Sequence, residues 1–403
     1  MYPLSGIKVV ELATVVAAPT AARVLCDFGA DVIKIESLKG DDMRSAGNSE
    51  HVPCTDDYNP LFTITNSNKK LIAINLKTAE GKEVLKALLQ DADVFITNIR
   101  LRSLERLGLD YPTLSQEFPR LVYAHFSGYG TAGPDAQKPG FDSTAFWLRN
   151  GPVVDWQTAD AYPFYPSYAF GDLATSSAFL SGILMALLGR DKTGRGTLVK
   201  TSLLSSGIWC NGISAVSSQS QFGGSAPLDP IRPPDPFSAV YRCADGRWIG
   251  FYCNNYDNEI EKFARIFGIE DILTDERWQS VERLHATDAI AEAKQRMNEI
   301  FLQKDSGEWA RIFTENNVSY EIAYSAEHIE KDEQAWANGY LEEVSFGEGR
   351  RVAMPTPPIQ FADFGRRSYT PTGALGSDTD EILRIHGYSA EAAAKLKELG
   401  CIR

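Results

Sequence analysis

Cysteine is scarce and scattered. Six occur in 403 residues (Cys26, Cys54, Cys210, Cys243, Cys253 and Cys401), and no two form a CxxC pair. That excludes the common zinc and dithiol signatures and fits a reducing, cytoplasmic setting. The five histidines, His51, His125, His285, His328 and His386, make no HxxxH or HExxH spacing, so no metal site is expected. A basic excess is also missing. Forty Lys and Arg against 53 Asp and Glu leave a net charge of −13, which opposes a nucleic-acid or anionic-membrane partner. It does not exclude a small anionic ligand held in a local basic pocket. No unbroken run reaches the ~18 apolar residues of a membrane span, and Met1–Val10 lacks the basic and apolar regions of a signal peptide. Internal repeats and low-complexity tracts are absent. What is present is ordinary for a globular enzyme: 43% hydrophobic and 23% charged residues, in a chain long enough for one large domain and a smaller one.

The first 200 residues alternate between short β-branched runs and apolar-periodic segments. Ile7–Leu12 reads as a strand, Thr20–Phe28 as a helix closed by Gly29, and Asp31–Glu36 as a second strand. Strands follow at Leu71–Leu76, Asp93–Asn98, Leu121–Phe126 and from Val199, with helices at Ala79–Gln90 and Leu101–Leu107. This alternation predicts an α/β fold with an open, mainly parallel sheet flanked by helices. The first turn, Ala13 to Pro19, holds no GxGxxG, so nicotinamide or flavin binding loses its main warrant. A Gly-rich loop, Ser127 to Pro134, lies at the carboxyl end of a strand, the edge where such sheets bind ligands.

The character changes after Ser205. A Pro/Gly-rich stretch at 223–236 reads as a linker. A hairpin at Ser238–Tyr252, turning at Asp245-Gly246, and helices at Asp257–Phe267, Ala289–Gln303 and Gly307–Asn316 predict a smaller α+β domain at 237–325. The large domain then comprises 1–222 and 326–403. In its returning part a helix is expected at Glu327–Asn338, a strand at Glu342–Phe346, a surface loop at Gly373–Asp380 and a last helix at Ser389–Leu399.

One segment concentrates the chemistry. Asp172 precedes a long run in which Phe179, Ile183 and Leu187, and beside them Leu180, Leu184 and Leu188, repeat at helical spacing. The pattern predicts a helix buried on more than one face. On spacing alone Asp172 reads as its N-cap far more readily than as a catalyst.

Several segments together resemble class III (formyl-CoA-transferase-like, CaiB/BaiF) CoA transferases: Val10–Leu12, Ala18-Pro19, Gly29–Glu36, Asn68-Lys69, Leu76–Lys82, Asn98, Leu104–Gly108, Gly128–Gly130, Gly133-Pro134, Pro139–Asp142, Gly171-Asp172 and Lys192–Gly196, with Asp332–Asn338 extending the likeness. The set is most similar to the branch acting on (R)-2-hydroxy acids and 2-enoyl-CoAs. The resemblance implies CoA transfer between an acyl-CoA and a small carboxylic acid. Asp172 would be the nucleophile, passing through a mixed anhydride and an aspartyl-CoA thioester, held ionised by the helix N-terminus. It implies CoA contacts from Val15, Ala17, Lys39, Ile74, Lys77, Asn98, Ile99, Ser103, Arg106 and Lys138, no permanently bound cofactor, and an interlocked homodimer. Two departures stand out. Ser37 occupies the place of a phosphate-binding Arg, leaving Lys39 to substitute, and no glycine run longer than Gly223-Gly224 is present to cover the aspartate. Racemases of the same superfamily resemble Gly-His-Asp where this chain has Gly140-Phe141-Asp142, so the α-carbon base is missing. An α-methylacyl-CoA racemase and a non-catalytic CoA-binding protein are the alternatives. An apolar acyl pocket would draw on Phe141, Phe146, Trp147, Phe164, Tyr165, Tyr168 and Trp209.

Overall fold

The computed structural model describes residues 1–159, 161–224 and 228–403. Part of the expected linker, 225–227, lies outside them. The chain forms two compact units, one of residues 1–153, 165–224 and 333–403, the other of 154–164 and 225–332.

The first unit is built on six parallel strands: β1 (Lys8–Leu12), β2 (Asp31–Glu36), β3 (Lys70–Ala73), β4 (Val94–Thr97), β5 (Val122–Ser127) and β6 (Leu198–Ser202). Their order is β3-β2-β1-β4-β5-β6. Successive residues of each strand face opposite layers, and both layers are apolar. Val9, Val94, Ile96, Val122 and Ala124 point toward helices Ala17–Asp27 and Phe170–Thr193. Val10, Phe95 and Tyr123 point the other way, toward Val84, Leu85, Leu88, Leu104, Ile382 and Leu396. Burial on both faces is what a parallel sheet requires. The strand order reverses direction between β1 and β4. The loops leaving these two strands therefore diverge and open a crevice at the carboxyl edge.

Helix Phe170–Thr193 departs from expectation in two ways. It begins two residues before Asp172, capped by Ala169 in a left-handed conformation (φ 60°) with no side-chain cap bond. One side is also open, with Leu173, Met185 and Leu188 exposed. By length and composition alone the helix is long and apolar enough to cross a membrane, although no unbroken apolar run reaches that length, because its Ser, Thr and Gly interruptions lower hydropathy little. Here Phe179, Ile183 and Leu187 pack it onto the sheet, and Arg190 near its end pairs with Asp93 at 2.7 Å.

The returning segment supplies β10 (Leu341–Ser345) and β11 (Arg351–Pro355), an antiparallel pair, and helices Thr379–Ile385 and Ala390–Glu398. The expected 327–338 helix is broken. Asp332 is extended (φ −71°, ψ 105°) between a 3-10 turn, Ala326–Lys331, and a short helix, Glu333–Ala337. The expected surface loop at 373–380 instead leads into helix Thr379–Ile385, because the Asp378 carboxylate accepts the Leu71 N–H at 2.8 Å and ties that turn to β3.

The second unit contains β7 (Val240–Arg242), β8 (Trp248–Tyr252) and β9 (Ser319–Ile322) in one antiparallel sheet. Asp245-Gly246 makes the predicted turn, with Gly246 at φ 81°. β9 has no counterpart in the sequence reading, since four residues, Ser-Tyr-Glu-Ile, carry too little alternation to stand out. Helices Tyr256–Phe267, Ala289–Phe301 and Ser306–Glu315 cover a core of rings, among them Tyr241 stacked on Phe301 at 4.6 Å and Trp309 at 4.7 Å from Phe301. Phe301 is fully buried. Phe301→Ala should destabilise this unit by about 3–5 kcal/mol, measured as a lower urea midpoint.

Candidate active site

The crevice is fixed by reciprocal hydrogen bonds across the switch point. Asn98, after β4, donates from Nδ2 to the Thr14 carbonyl at 2.7 Å and accepts the Thr14 N–H at 3.1 Å. One amide side chain thus satisfies both backbone groups of a residue in the loop after β1. Two further loops close in at Gly128 and Gly140. A Cβ on Gly128 would lie 2.8 Å from the Gly140 Cα, so neither position has room for a side chain.

Three cavities run along this edge. The first, of about 450 Å³, is lined by Val15, Ala17, Asn98, Ile99, Ser103, Lys138, Phe141 and Asp172. The second, of about 800 Å³, is lined by Lys39, Ile74, Lys77, Ile99, Ser103 and Arg106. Ile99 and Ser103 border both. The third, of about 430 Å³, shares Val15, Phe141 and Asp172 with the first and adds Met43, Ala46, Tyr165 and Tyr168. All ten residues expected to contact CoA thus line the first or second cavity, and Asp172 stands where the first meets the third. Lys39, Lys77, Arg106 and Lys138 are exposed on the rims, a position that suits cations for phosphate. Lys138 also lies over the Tyr129 ring at 5.0 Å. Ser37 is folded into a turn with Gly40, its Oγ donating to the Gly40 carbonyl at 3.1 Å, which puts Lys39 on the rim. Arg100 and His125 of the first cavity escaped sequence reasoning. Arg100 directly follows Asn98-Ile99, a position the same logic could have flagged. His125 lies buried in β5, where its Nε2 meets the Ile99 carbonyl at 3.0 Å and its pKa is lowered, first by burial.

Of the aromatic residues expected in an acyl pocket, Phe141, Tyr165 and Tyr168 line the third cavity. Phe146 and Trp147 are core, and Trp209 is exposed on helix Leu203–Cys210. Phe164 belongs to the second unit.

Asp172 is not the N-cap, since it sits inside the first turn. A second carboxylate takes up the helix start. Asp142 opens a π-helical turn, Asp142–Leu148, and reaches the first turn so closely that a Cβ on Gly171 would lie 2.3 Å from its Oδ1 and 2.3 Å from the Phe146 ring. Burial pushes Asp142 up to about 6, while the amides of Asp172 and Gly171 and the Trp147 indole oppose the rise. Its Oδ1 is buried without a well-formed hydrogen bond, so the amides act on it as nearby dipoles. Asp172 is pushed up to about 7, first by burial and then by the charge of Asp142. The expectation that the helix N-terminus keeps Asp172 freely ionised is therefore corrected: desolvation and a like charge outweigh the helix end, whose amides face Asp142.

A doubly wound sheet with a carboxylate at a crevice built for an elongated ligand defines an α/β enzyme site. Comparison with known proteins gives the class. The profile of CoA-transferase family III matches residues 4–379, and the chain belongs to that family. It is 35% identical over 402 residues to (R)-2-hydroxy-4-methylpentanoate CoA-transferase of Clostridioides difficile, covering 99% of each chain. It is 34% identical over 398 residues to cinnamoyl-CoA:phenyllactate CoA-transferase of Clostridium sporogenes, covering 98% of this chain and 96% of the relative. The crystal structure of a CAIB/BAIF family protein from Brucella suis superposes with a TM-score of 0.80 at 26% identity, over 96% of this chain and 99% of that one.

Reaction at an ionised Asp172 would make kcat/KM for CoA transfer rise with pH through an apparent pKa near 7. Asp142→Asn removes the like charge and should move that acid limb to lower pH, read from the pH–rate profile of the two proteins.

Proposed function

We propose that this CoA-transferase moves CoA from an acyl-CoA, such as a 2-enoyl-CoA, to a monocarboxylic acid, such as an (R)-2-hydroxy acid, with Asp172 as nucleophile. The observation that carries the reading is the position of Asp172 at the junction of the first and third cavities. A carboxylate oxygen of Asp172 attacks the thioester carbonyl. The C–S bond breaks, leaving a mixed anhydride and CoA thiolate. The thiolate attacks the Asp172 carbonyl, the donor acid departs, and an aspartyl-CoA thioester remains. The acceptor carboxylate repeats the two steps in reverse, so no net proton is consumed. In this reading the second cavity takes the nucleotide end of CoA, with Lys39, Lys77 and Arg106 toward the phosphates and Ser103 beside Arg106 Nη2 at 3.1 Å. The first cavity takes the pantetheine arm, and the third the acyl group.

The third cavity supports the choice of acid. Val15, Met43, Ala46, Phe141, Tyr165 and Tyr168 make its wall apolar and aromatic. Its charged lining is Asp42, Asp142 and Asp172, with no Lys, Arg or His among the described lining residues. A second substrate carboxylate would be desolvated there without a partner. Two relatives named for a branched and an aromatic hydroxy acid are in keeping with that wall. Phe141 offers no proton acceptor beside Asp172, which argues against the racemase reading. Asp172→Asn should lower transfer by roughly three orders of magnitude or more, while thermal stability at pH 8 holds or rises because a buried charge is gone. Hydroxylamine trapping read by mass should find the adduct on Asp172 in the unsubstituted protein. Preference for oxalate, succinate or glutarate in an acceptor panel would sink the substrate assignment. Solvent deuterium entering the α-carbon without acyl exchange would favour the racemase.

A homodimer belongs to the same proposal. Next to helix Phe170–Thr193, helix Leu203–Cys210 and the following Gly212–Ser217 expose Ile208, Trp209, Ile213 and Val216, with Trp209 84% and Ile213 89% accessible. Such a patch is unusual on a surface that stays in water. Light scattering should give twice the chain mass, and Trp209→Glu with Ile213→Glu should halve it. A monomeric parent protein would refute the dimer.

A further inference from the structure

Val15 is the one β-branched residue with a left-handed backbone among the described residues, at φ 69°. Branching at Cβ makes that conformation unfavourable, so surrounding structure must impose it. The Val15 N–H donates to Asp41 Oδ1 at 3.0 Å, and the same oxygen accepts the Met43 N–H at 3.0 Å. Asp41 Oδ2 lies 2.9 Å from Lys34 Nζ, with both side chains fully buried. The Lys34 ammonium also donates to Glu11 Oε1 at 2.9 Å and to the Ala13 carbonyl at 2.8 Å. Glu11 Oε2 meets Lys69 Nζ at 2.6 Å, and Lys69 donates to the Pro19 carbonyl and to Asn66 Oδ1, each at 2.8 Å. The loop after β1 is thus gripped at the Ala13 carbonyl and the Val15 N–H, and the helix that follows it at the Pro19 carbonyl, by buried charged groups. None of these four charged residues lines the three cavities. A buried ion network is a poor route to stability alone, since apolar side chains of similar size serve as well or better.

We propose that the Lys34–Asp41 pair is a positioning device that locks Val15 in its left-handed conformation, so that Val15 and Phe141 form the wall between the pantetheine and acyl cavities beside Asp172. The inference rests on the reading of those cavities given above. Lys34 and Asp41 act through the Val15 backbone and touch neither substrate. With the pair intact, the thioester carbonyl meets Asp172 at one defined place. Without it, Val15 relaxes to a right-handed or extended backbone and its side chain leaves the wall.

Glycine adopts the left-handed region without a brace, which gives a test. CoA affinity by calorimetry, and kcat and KM for transfer, would be compared in the parent protein, Asp41→Asn, Val15→Gly and the double variant. Asp41→Asn alone should lower kcat roughly 10- to 100-fold, with CoA affinity changed far less. In the Val15→Gly background the same substitution should cost no more than about threefold, because the coupled residues do not act independently. Equal losses in both backgrounds, or no loss on Asp41→Asn, would overturn the brace. Failure of the parent protein to bind CoA would instead overturn the cavity reading, so the two are told apart. Should Asp41→Asn not fold with Glu11 as the one remaining carboxylate on Lys34, Asp41→Ala combined with Lys34→Met removes both charges and the acceptor, and the same comparison with and without Val15→Gly decides the matter.

Discussion

The site depends on a topological constraint. In a sheet ordered β3-β2-β1-β4-β5-β6, the connections after β1 and β4 leave in opposite directions, and nothing in the sheet fills the space between them. Everything polar at that edge then has to be satisfied locally. Asn98 does so for Thr14, His125 meets the Ile99 carbonyl, and Asp41 takes the Val15 N–H. The crevice is therefore lined by loops whose backbone groups are already engaged. Loops held in this way can present side chains to a ligand without paying for ordering when it arrives.

Against that rigid frame, the carboxylates are the unstable element. Asp142 and Asp172 meet at the first turn of one helix, where burial pushes them up to about 6 and about 7. Two such groups resist simultaneous ionisation. The arrangement holds Asp172 near the balance between its protonated and ionised forms at neutral pH. Gly171 makes the approach possible, because any side chain there would collide with Asp142 and Phe146. The left-handed backbone at Ala169 and Val15, both lining the third cavity, adds strain of about 1–3 kcal/mol per residue. Strain and buried like charge thus collect at one spot, on a scaffold whose two apolar layers can carry them.

Much of this was legible beforehand, and for identifiable reasons. The parallel sheet could be read because Val9–Val10, Val94–Ile96 and Val122–Ala124 are buried on both faces and leave continuous apolar runs. The ten residues that line the first two cavities were picked out by ordered motifs rather than by any single spacing. Reading Asp172 as anything but a cap needed the same resemblance, since its local pattern alone suggests a cap. What escaped were features set by backbone geometry or by partners distant in the chain: the left-handed Val15, the π-turn that delivers Asp142, and the Asp378–Leu71 tie that turns an apparent loop into a helix start. Periodicity cannot report a φ angle, and composition cannot report which carboxylate lies beside which helix.

The back of the second cavity has a consequence for how the molecule is made. Ile74, one of its lining residues, bridges to Ile402, the Asn75 N–H donates to the Cys401 carbonyl at 2.7 Å, and Asn75 Nδ2 reaches the Gly400 carbonyl across a separation of 325 positions. Contacts of such long range form late, after the loop between them has been ordered. During synthesis β3 leaves the ribosome as an uncovered edge, and it stays uncovered until residues 378–403 have emerged. The second cavity is therefore among the last parts of the first unit to be completed. A nascent or truncated chain would carry Asp172 and its helix well before that cavity had its back wall.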